Sequence, residues 1–166
     1  MAAEPKFPLR AIDQVCVVVD DLEKTVARYW SVFGIGPWRI WSYGPGMMKE
    51  RTYRGRPGNF RMKVALASVG SLIYEVIEPL EGESIYTEFL ARHGAGMQHL
   101  GVFVDNIAEA IAVLRGEGYE VVMSGGGHGL HGDGAFAYMG TEGDLAAMFE
   151  LIQPPSARRE PDSTYP

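Results

Sequence analysis

Four polar side chains occupy matching positions in two similar stretches of the chain: Gln14, Glu75, His99 and Glu150. Gln14 and His99 each lie at the start of an apolar run rich in β-branched residues, whereas Glu75 and Glu150 each lie inside an apolar run. Because successive residues of a strand point to opposite faces, the apolar neighbours of each glutamate place both carboxylates on one concave face. A partly buried carboxylate is costly unless a cation meets it, so these oxygen and nitrogen donors favour a divalent metal site. The alternative is that both glutamates face solvent and His99 is a hydrogen-bonded core histidine.

An internal repeat generates the four positions. Residues 14–22 align with residues 99–107 at an offset of 85, and residues 72–79 align with residues 147–154 at an offset of 75. Each copy is typical of a strand, a helix and three further strands, in the order βαβββ. A duplication on this scale predicts two halves that share one sheet and one site, since each half supplies two of the four donors.

The predicted boundaries follow the repeat. The first module spans 9–79, a linking helix lies within 80–95, the second module spans 96–154, and 155–166 is predicted as a disordered tail. We predict strands at 12–19, 37–43, 61–68 and 71–77 in the first module and at 99–104, 119–123, 134–139 and 146–152 in the second.

Composition excludes several classes of function. The chain has 166 residues, a formal charge of −6 and one cysteine, Cys16. An acidic chain offers no general basic surface for nucleic acid, and a single cysteine forms no internal disulfide; we interpret Cys16 as a small core residue. No apolar run approaches the roughly 18 residues that span a bilayer, and no signal-peptide core is seen, so we expect a cytoplasmic protein without a membrane partner.

Four segments together resemble the vicinal oxygen chelate superfamily, and the resemblance extends over residues 9–154. They are IDQVCVVVDDLEKTVARYW, YEVIEPL, GMQHLGVFVDNIAEAI and FELIQP. The superfamily includes glyoxalase I, methylmalonyl-CoA epimerase, extradiol dioxygenases and antibiotic-binding proteins. The resemblance implies an α+β fold in which two βαβββ modules form an eight-stranded, open, cup-shaped sheet around a divalent metal. The ligand positions implied are Gln14, Glu75, His99 and Glu150, a set similar to that of the eukaryotic type of glyoxalase I.

Two segments are most similar to methylmalonyl-CoA epimerases: the link between the modules and the glycine-rich stretch of the second module. An inserted segment at 44–60 does not resemble the epimerases, which are usually shorter in this region. The resemblance implies a metal-dependent isomerase or lyase that moves a proton α to a carbonyl through a metal-chelated enediolate. Glu150 is the first candidate for the base and Glu75 the second. A hard donor set suits one divalent ion, namely Mg²⁺, Mn²⁺, Co²⁺, Ni²⁺ or Zn²⁺. One histidine among the four disfavours an Fe(II) dioxygenase.

The resemblance also implies a small-molecule substrate with neighbouring oxygens, such as an acyl-CoA, and a homodimer. Two alternatives stay open. One is a glyoxalase I-type lactoylglutathione lyase, and the other is a non-catalytic protein that binds an antibiotic or another aromatic ligand.

Six further residues are candidates for substrate binding: Trp41, Met48, Glu50, Arg51, His128 and His131. The aromatic and methionine side chains near 41–48 suit an apolar wall, and the arginines of 51–61 suit an anionic substrate tail. Glu50 is also a third candidate for the base. The glycine-rich segment 125–134, which carries both histidines, is interpreted as a mobile lid over the cup. The alternatives are packing for the apolar residues and solvent-exposed positions for the charged residues and the histidines.

Overall fold

The computed structural model describes residues 4–166, which form eleven strands and four helices. The helices are α1 (Leu22–Phe33), α2 (Ile85–His93), α3 (Ile107–Gly116) and α4 (Glu142–Leu145). The strands that come from the first half of the chain are β1 (Gln14–Val18), β2 (Trp38–Tyr43), β3 (Glu50–Tyr53), β4 (Arg56–Pro57), β5 (Arg61–Val69) and β6 (Leu72–Glu81). The second half supplies β7 (Gly96–Phe103), β8 (Val121–His128), β9 (Gly134–Met139), β10 (Met148–Gln153) and β11 (Ser163–Tyr165).

All eleven strands belong to one mixed sheet, in the order β11-β2-β5-β6-β1-β7-β10-β9-β8-β3-β4. The two repeat-related strands β1 and β7 pair antiparallel at the middle of the sheet, and each is flanked by a parallel partner, β6 or β10. The α+β fold is therefore confirmed. The eight strands expected from the repeat are present, and three more, β3, β4 and β11, extend the sheet beyond them.

The sheet curls into a cup. Strands β2 and β8 are seven strand steps apart in the sheet order, which would separate them by roughly 33 Å in a flat sheet. The ring centroids of Tyr43 on β2 and His128 on β8 are nevertheless only 5.8 Å apart. The inner face of the cup thus brings side chains from distant strands around one space.

Alternation along β1 separates the two faces of the sheet. Val17 and Val19 pack with Leu22 and Val26 of α1 on the outer face. Cys16 and Val18 belong instead to the inner cluster, together with Phe60, Met123 and Tyr138. This period of two follows from the strand geometry and leaves Gln14, two residues before Cys16, on the inner face. No helix within 4–166 is long and apolar enough to cross a membrane.

The prediction of a disordered tail at 155–166 is wrong. Strand β11 pairs antiparallel with β2, with Thr164 opposite Arg39. The Ser42 amide also donates to a carboxylate oxygen of Asp162 at 2.7 Å. The polar composition of the segment suggested disorder, but the edge of β2 offers unpaired backbone groups that a polar segment can satisfy as well as an apolar one.

The interpretation of 125–134 as a mobile lid is also wrong for its first part, because β8 continues to His128 rather than ending at 123. Gly125 pairs with both Arg51 of β3 and Phe136 of β9. A Cβ at Gly125 would lie 2.4 Å from the ring of Phe136. Glycine at this position therefore allows close packing inside a strand, a role that composition alone does not distinguish from a flexible loop.

Candidate functional site

The register of the central strands brings the four repeat-related donors together. Cys16 of β1 lies opposite Glu75 of β6 and His99 of β7. Two residues after His99 on β7, Gly101 lies opposite both Gln14 of β1 and Glu150 of β10. The four donors therefore come from the four central strands. Their exposed fractions are small: 4% for Gln14, 7% for Glu75, 2% for His99 and 4% for Glu150.

The polar atoms of these side chains form a compact cluster. The Nε2 atom of Gln14 donates to Glu75 Oε2 at 2.9 Å and to Glu150 Oε2 at 3.1 Å. The Nε2 atom of His99 lies 3.3 Å from Glu75 Oε2 and 3.1 Å from Glu150 Oε2. One carboxylate oxygen from each half of the sheet thus faces the same imidazole and the same amide.

His99 is oriented by its neighbour on β7. Its Nδ1 atom lies 2.6 Å from Gln98 Oε1, a contact that assigns the hydrogen of a neutral ring to Nδ1. Nε2 then carries a lone pair toward the carboxylates, and within residues 4–166 it makes no hydrogen bond of good geometry despite its short distances to them. A buried lone pair that faces two carboxylate oxygens is repulsive until a proton or a metal cation lies among them, so the residues present fit a metal ion.

The electrostatics of the cluster show the same demand for positive charge. Burial lowers the pKa of His99, but the charges of Glu150 and Glu75 outweigh burial and raise that pKa to about 9. Burial raises the pKa of Glu150, and the negative charge of Glu75 adds to this, while His99 opposes it. Both shifts mean that the buried cluster attracts positive charge, and strongly shifted pKa values of this kind are common at functional sites.

Cys16 contributes a third type of donor atom. Its Sγ, one oxygen of Glu75 and one nitrogen of His99 all lie within 4.8 Å of one another. Cys16 is fully buried, as expected for a core residue, and burial raises the pKa of its thiol. Because positions 14 and 16 of one strand face the same way, Cys16 is both a core residue and a neighbour of the donor cluster.

A cavity of about 50 Å³ lies over the cluster. Tyr43, His128, Phe136 and Arg158 line it together with Gln14, Glu75 and Glu150. Larger hollows, of about 440 and 560 Å³, lie beside α3 and α1 on the outer face of the sheet. The small inner cavity is the candidate site because the donor cluster forms part of its wall.

His128 lies at this cavity and is not solvent-exposed. Its side chain is 6% exposed, and burial, assisted by the charge of Arg158, lowers its pKa to about 4. His128 is therefore neutral near pH 7. His131, by contrast, lies on the exposed turn between β8 and β9.

The other predicted substrate-binding residues are not brought to the cavity. Trp41 lies beside it, buried, and its Nε1 donates to the carbonyl of Arg159 at 3.0 Å. Met48 packs in the inner core, and Glu50 is exposed on β3. Arg51 donates to the carbonyl of Phe60 at 2.9 Å, a contact that holds the inserted segment.

Tyr138 and Arg158 are among the residues at the cavity that the sequence did not predict. Tyr138 faces inward on β9, where its hydroxyl lies 2.7 Å from that of Tyr86, and the alternation of β9 contains this signal. Arg158 belongs to the segment predicted as disordered, so no signal in the sequence placed it near the site.

The fold and the donor cluster define a protein with a buried, metal-type site at the centre of a cup-shaped sheet. The sequence profile of the Glyoxalase/Bleomycin resistance protein/Dioxygenase superfamily matches residues 13–138. The chain belongs to this superfamily.

Similar proteins include the mitochondrial methylmalonyl-CoA epimerases of Mus musculus, 28% identical over 131 residues, and of Bos taurus, 29% identical over 133 residues. Each alignment covers 78% of this chain, and the chain spans 66% and 67% of the length of these relatives. A solved structure of a Streptomyces coelicolor methylmalonyl-CoA epimerase variant in complex with 2-nitronate-propionyl-CoA has a TM-score of 0.68 at 18% identity, covering 90% of this chain and 100% of that one. The structure of the methylmalonyl-CoA epimerase from Mycobacterium tuberculosis has a TM-score of 0.65 at 19% identity, with 93% of each chain covered. The structural likenesses show a shared fold.

Proposed function

We propose that this protein is a metal-dependent epimerase that moves the proton α to the carbonyl of an acyl-CoA thioester. The observation that carries the proposal is the unpartnered, buried Nε2 of His99, which faces carboxylate oxygens of Glu75 and Glu150. The similarity to mitochondrial methylmalonyl-CoA epimerases supports the choice of substrate class.

The chain's own residues divide into two roles. His99, Glu75 and Glu150 would hold the ion, with the Cys16 thiol near Glu75 and His99. The Gln14 carboxamide, whose Nε2 donates to both glutamates, would join them by turning its oxygen toward the ion. A divalent ion, when bound, stabilises negative charge on the substrate oxygens. Gln98 holds the His99 ring, so the orientation of Nε2 toward the ion does not depend on the ion itself.

Glu150 is the proposed base. Burial raises its pKa, and a carboxylate with a raised pKa is a stronger proton acceptor than an exposed one. Glu75 reaches the cluster from the opposite half of the sheet, on β6 rather than β10. A proton removed by one carboxylate and returned by the other on the opposite face of the carbon inverts its configuration.

Exchange of the α-proton tests this function. Metal-loaded protein is expected to exchange the α-proton of methylmalonyl-CoA in deuterated water, followed by NMR or mass spectrometry. Glu150→Gln should lower the rate by about 10²- to 10⁴-fold, the usual contribution of a general base. His131→Ala, which changes an exposed histidine, is the matched control for His99→Ala and should retain both metal and exchange.

Metal content separates two ways in which the proposal could fail. If the wild type, after reconstitution, holds no more divalent metal than His99→Ala, the metal site is wrong. If it holds metal but exchanges no proton, the metal site stands and the epimerase activity is wrong.

Gln14 favours a second candidate, a lactoylglutathione lyase, because glutamine at the first ligand position resembles the eukaryotic type of glyoxalase I. The test is turnover of the hemithioacetal of methylglyoxal and glutathione by the same metal-loaded protein. Turnover there without exchange of methylmalonyl-CoA would replace the epimerase proposal. A homodimer stays a prediction, to be checked by light scattering in solution.

A further inference from the structure

The C-terminal segment crosses the mouth of the cup and is fixed on both sides of it. On one side the amide of Leu130, which follows β8, donates to the carbonyl of Ala157 at 2.9 Å. On the other side Nε1 of Trp41, on β2, donates to the carbonyl of Arg159 at 3.0 Å. Leu130 and Trp41 belong to opposite halves of the sheet, so the residue between these two anchors, position 158, is held over the cavity.

The side chain at this position is an arginine that is exposed at the surface and lines the mouth of the cavity. The guanidinium carbon of Arg158 lies 5.9 Å from the centre of the Trp41 ring, and Arg158 lines the same cavity as Glu75 and Glu150. It is the one lysine or arginine among the described residues that line this cavity. Within 4–166, no carboxylate forms an ion pair with Arg158.

The arginines of the inserted segment are engaged elsewhere. Arg54 pairs with Glu88 at 2.7 Å, Arg61 pairs with Glu81 at 3.5 Å, and Arg51 donates to the Phe60 carbonyl. The sequence pointed to these side chains for binding an anionic group, but in the structure Arg158 is the arginine that lines the cavity of the donor cluster.

We propose that Arg158 binds a carboxylate carried by the acyl part of the substrate, next to the carbon that loses its proton. This inference rests on the proposed function. A guanidinium at the mouth of the cavity attracts a carboxylate and binds it with paired, charge-assisted hydrogen bonds. A cavity of about 50 Å³ admits a carboxylate but not a nucleotide phosphate with its sugar, which favours the acyl group over the CoA moiety as the bound anion.

Arg158 therefore selects among acyl-CoA thioesters for those that carry a second carboxylate. The cation–π contact with Trp41 and the two backbone anchors define where the guanidinium lies before substrate enters. A charged side chain held in this way loses less conformational entropy on binding than a free one.

A pair of ligands that differ in one carboxylate tests the inference. Binding of malonyl-CoA and propionyl-CoA to the Co²⁺-reconstituted protein would be measured by calorimetry for wild type, Arg158→Gln and Arg28→Gln. Arg158→Gln should weaken malonyl-CoA binding by about 10- to 100-fold, the effect of losing hydrogen bonds to a charged group, and leave propionyl-CoA binding unchanged. Arg28→Gln removes an exposed charge from α1 on the outer face of the sheet and should change neither. Arg158→Lys should restore part of the loss.

Each other outcome overturns the inference. Equal weakening of both thioesters would mean that Arg158 binds the CoA phosphates, and no weakening of either would mean that it binds no part of the substrate. Suppose that the wild type exchanges the α-proton of methylmalonyl-CoA, but Arg158→Gln prefers malonyl-CoA to propionyl-CoA by the same factor as the wild type. This inference then fails and the proposed function stands. If wild type binds neither thioester, both fail. Thermal denaturation of each variant separates loss of binding from loss of folding.

Discussion

Gly101 shows how a residue without a side chain shapes the site. It lies between Gln14 and Glu150 in the register of the central strands, and a Cβ there would lie 2.9 Å from the Gln14 Cβ and 2.8 Å from Ile152 Cδ1. Gly101→Ala is therefore expected to displace Gln14 and to lower the free energy of unfolding by about 1–3 kcal/mol, as overpacking does. Urea denaturation and metal titration would measure the two effects.

The matched control is Gly116→Ala at the end of α3, where a Cβ would meet no atom within 4 Å. This substitution should leave metal binding unchanged and leave stability unchanged or raise it by up to about 1 kcal/mol, because alanine favours the helix. If both alanine variants had the same stability and the same metal affinity, the lack of a side chain at Gly101 would not be what leaves space for Gln14.

The histidine of the cluster predicts a pH dependence of the metal-free protein. The pKa of His99 is about 9 in the folded state and 6.5 in its ordinary state, so the folded protein binds a proton there more tightly. The stabilisation from His99 is complete below pH 6.5 and is lost as the pH rises through 9. It amounts to on the order of 3 kcal/mol.

Urea denaturation of chelator-treated protein at a series of pH values would measure this loss. His99→Gln should remove the decline between pH 6.5 and 9. His128→Gln should keep it, because the pKa of His128 is lowered to about 4 and its titration lies below that range. An unchanged decline in His99→Gln would assign the effect to another group.

At the scale of elements, the outermost strand β11 predicts a local effect. A chain ending at residue 160 loses β11 and the Asp162 contact with the Ser42 amide but keeps Arg158. Since only a few exposed hydrogen bonds disappear, the free energy of unfolding should fall by about 1–2 kcal/mol. Hydrogen exchange should accelerate at β2 and stay unchanged at β9, which lies in the other half of the sheet. Faster exchange at both strands would instead show that the tail stabilises the whole cup.

The elements also show what the sequence could and could not predict. The repeat pointed to Gln14, Glu75, His99 and Glu150 because its two copies, aligned at offsets of 85 and 75, place them at equivalent positions in the two halves. It carried no information on Arg158, whose position depends on contacts of its two chain neighbours with Leu130 and Trp41, far away in the sequence. The sequence also predicts too short a β8, because a run of glycines is typical of a loop. Only the packing of the Phe136 ring against Gly125 explains why glycines lie inside this strand.

At the scale of the whole molecule, the two halves exchange edge strands. The sheet order places β3 and β4, from the first half of the chain, beside β8 of the second half, and β11, from the end of the chain, beside β2 of the first. The ion pair of Arg54 with Glu88 of α2 adds a further contact of the inserted segment, beside a hydrogen bond from Tyr53 to the same carboxylate. Neither half is therefore a closed unit, although each carries one copy of the repeat.

This exchange predicts that a chain cut between the halves stays assembled. A protease site inserted between Gly82 and Glu83, in an exposed turn between β6 and α2, would leave the central β1–β7 pairing and both exchanged edges intact. An insertion keeps Gly82, where a Cβ would lie 2.2 Å from the carbonyl oxygen of Asn59. The nicked protein is expected to elute as one species, to unfold in a single transition and to bind metal as the intact chain does. Each fragment prepared alone should bind metal much more weakly, because Gln14 and Glu75 lie before the cut and His99 and Glu150 after it. Chelator-competition titration would measure the metal affinity of each fragment. If one fragment bound metal as tightly as the whole chain, the site would belong to one repeat and not to the sheet that both repeats build.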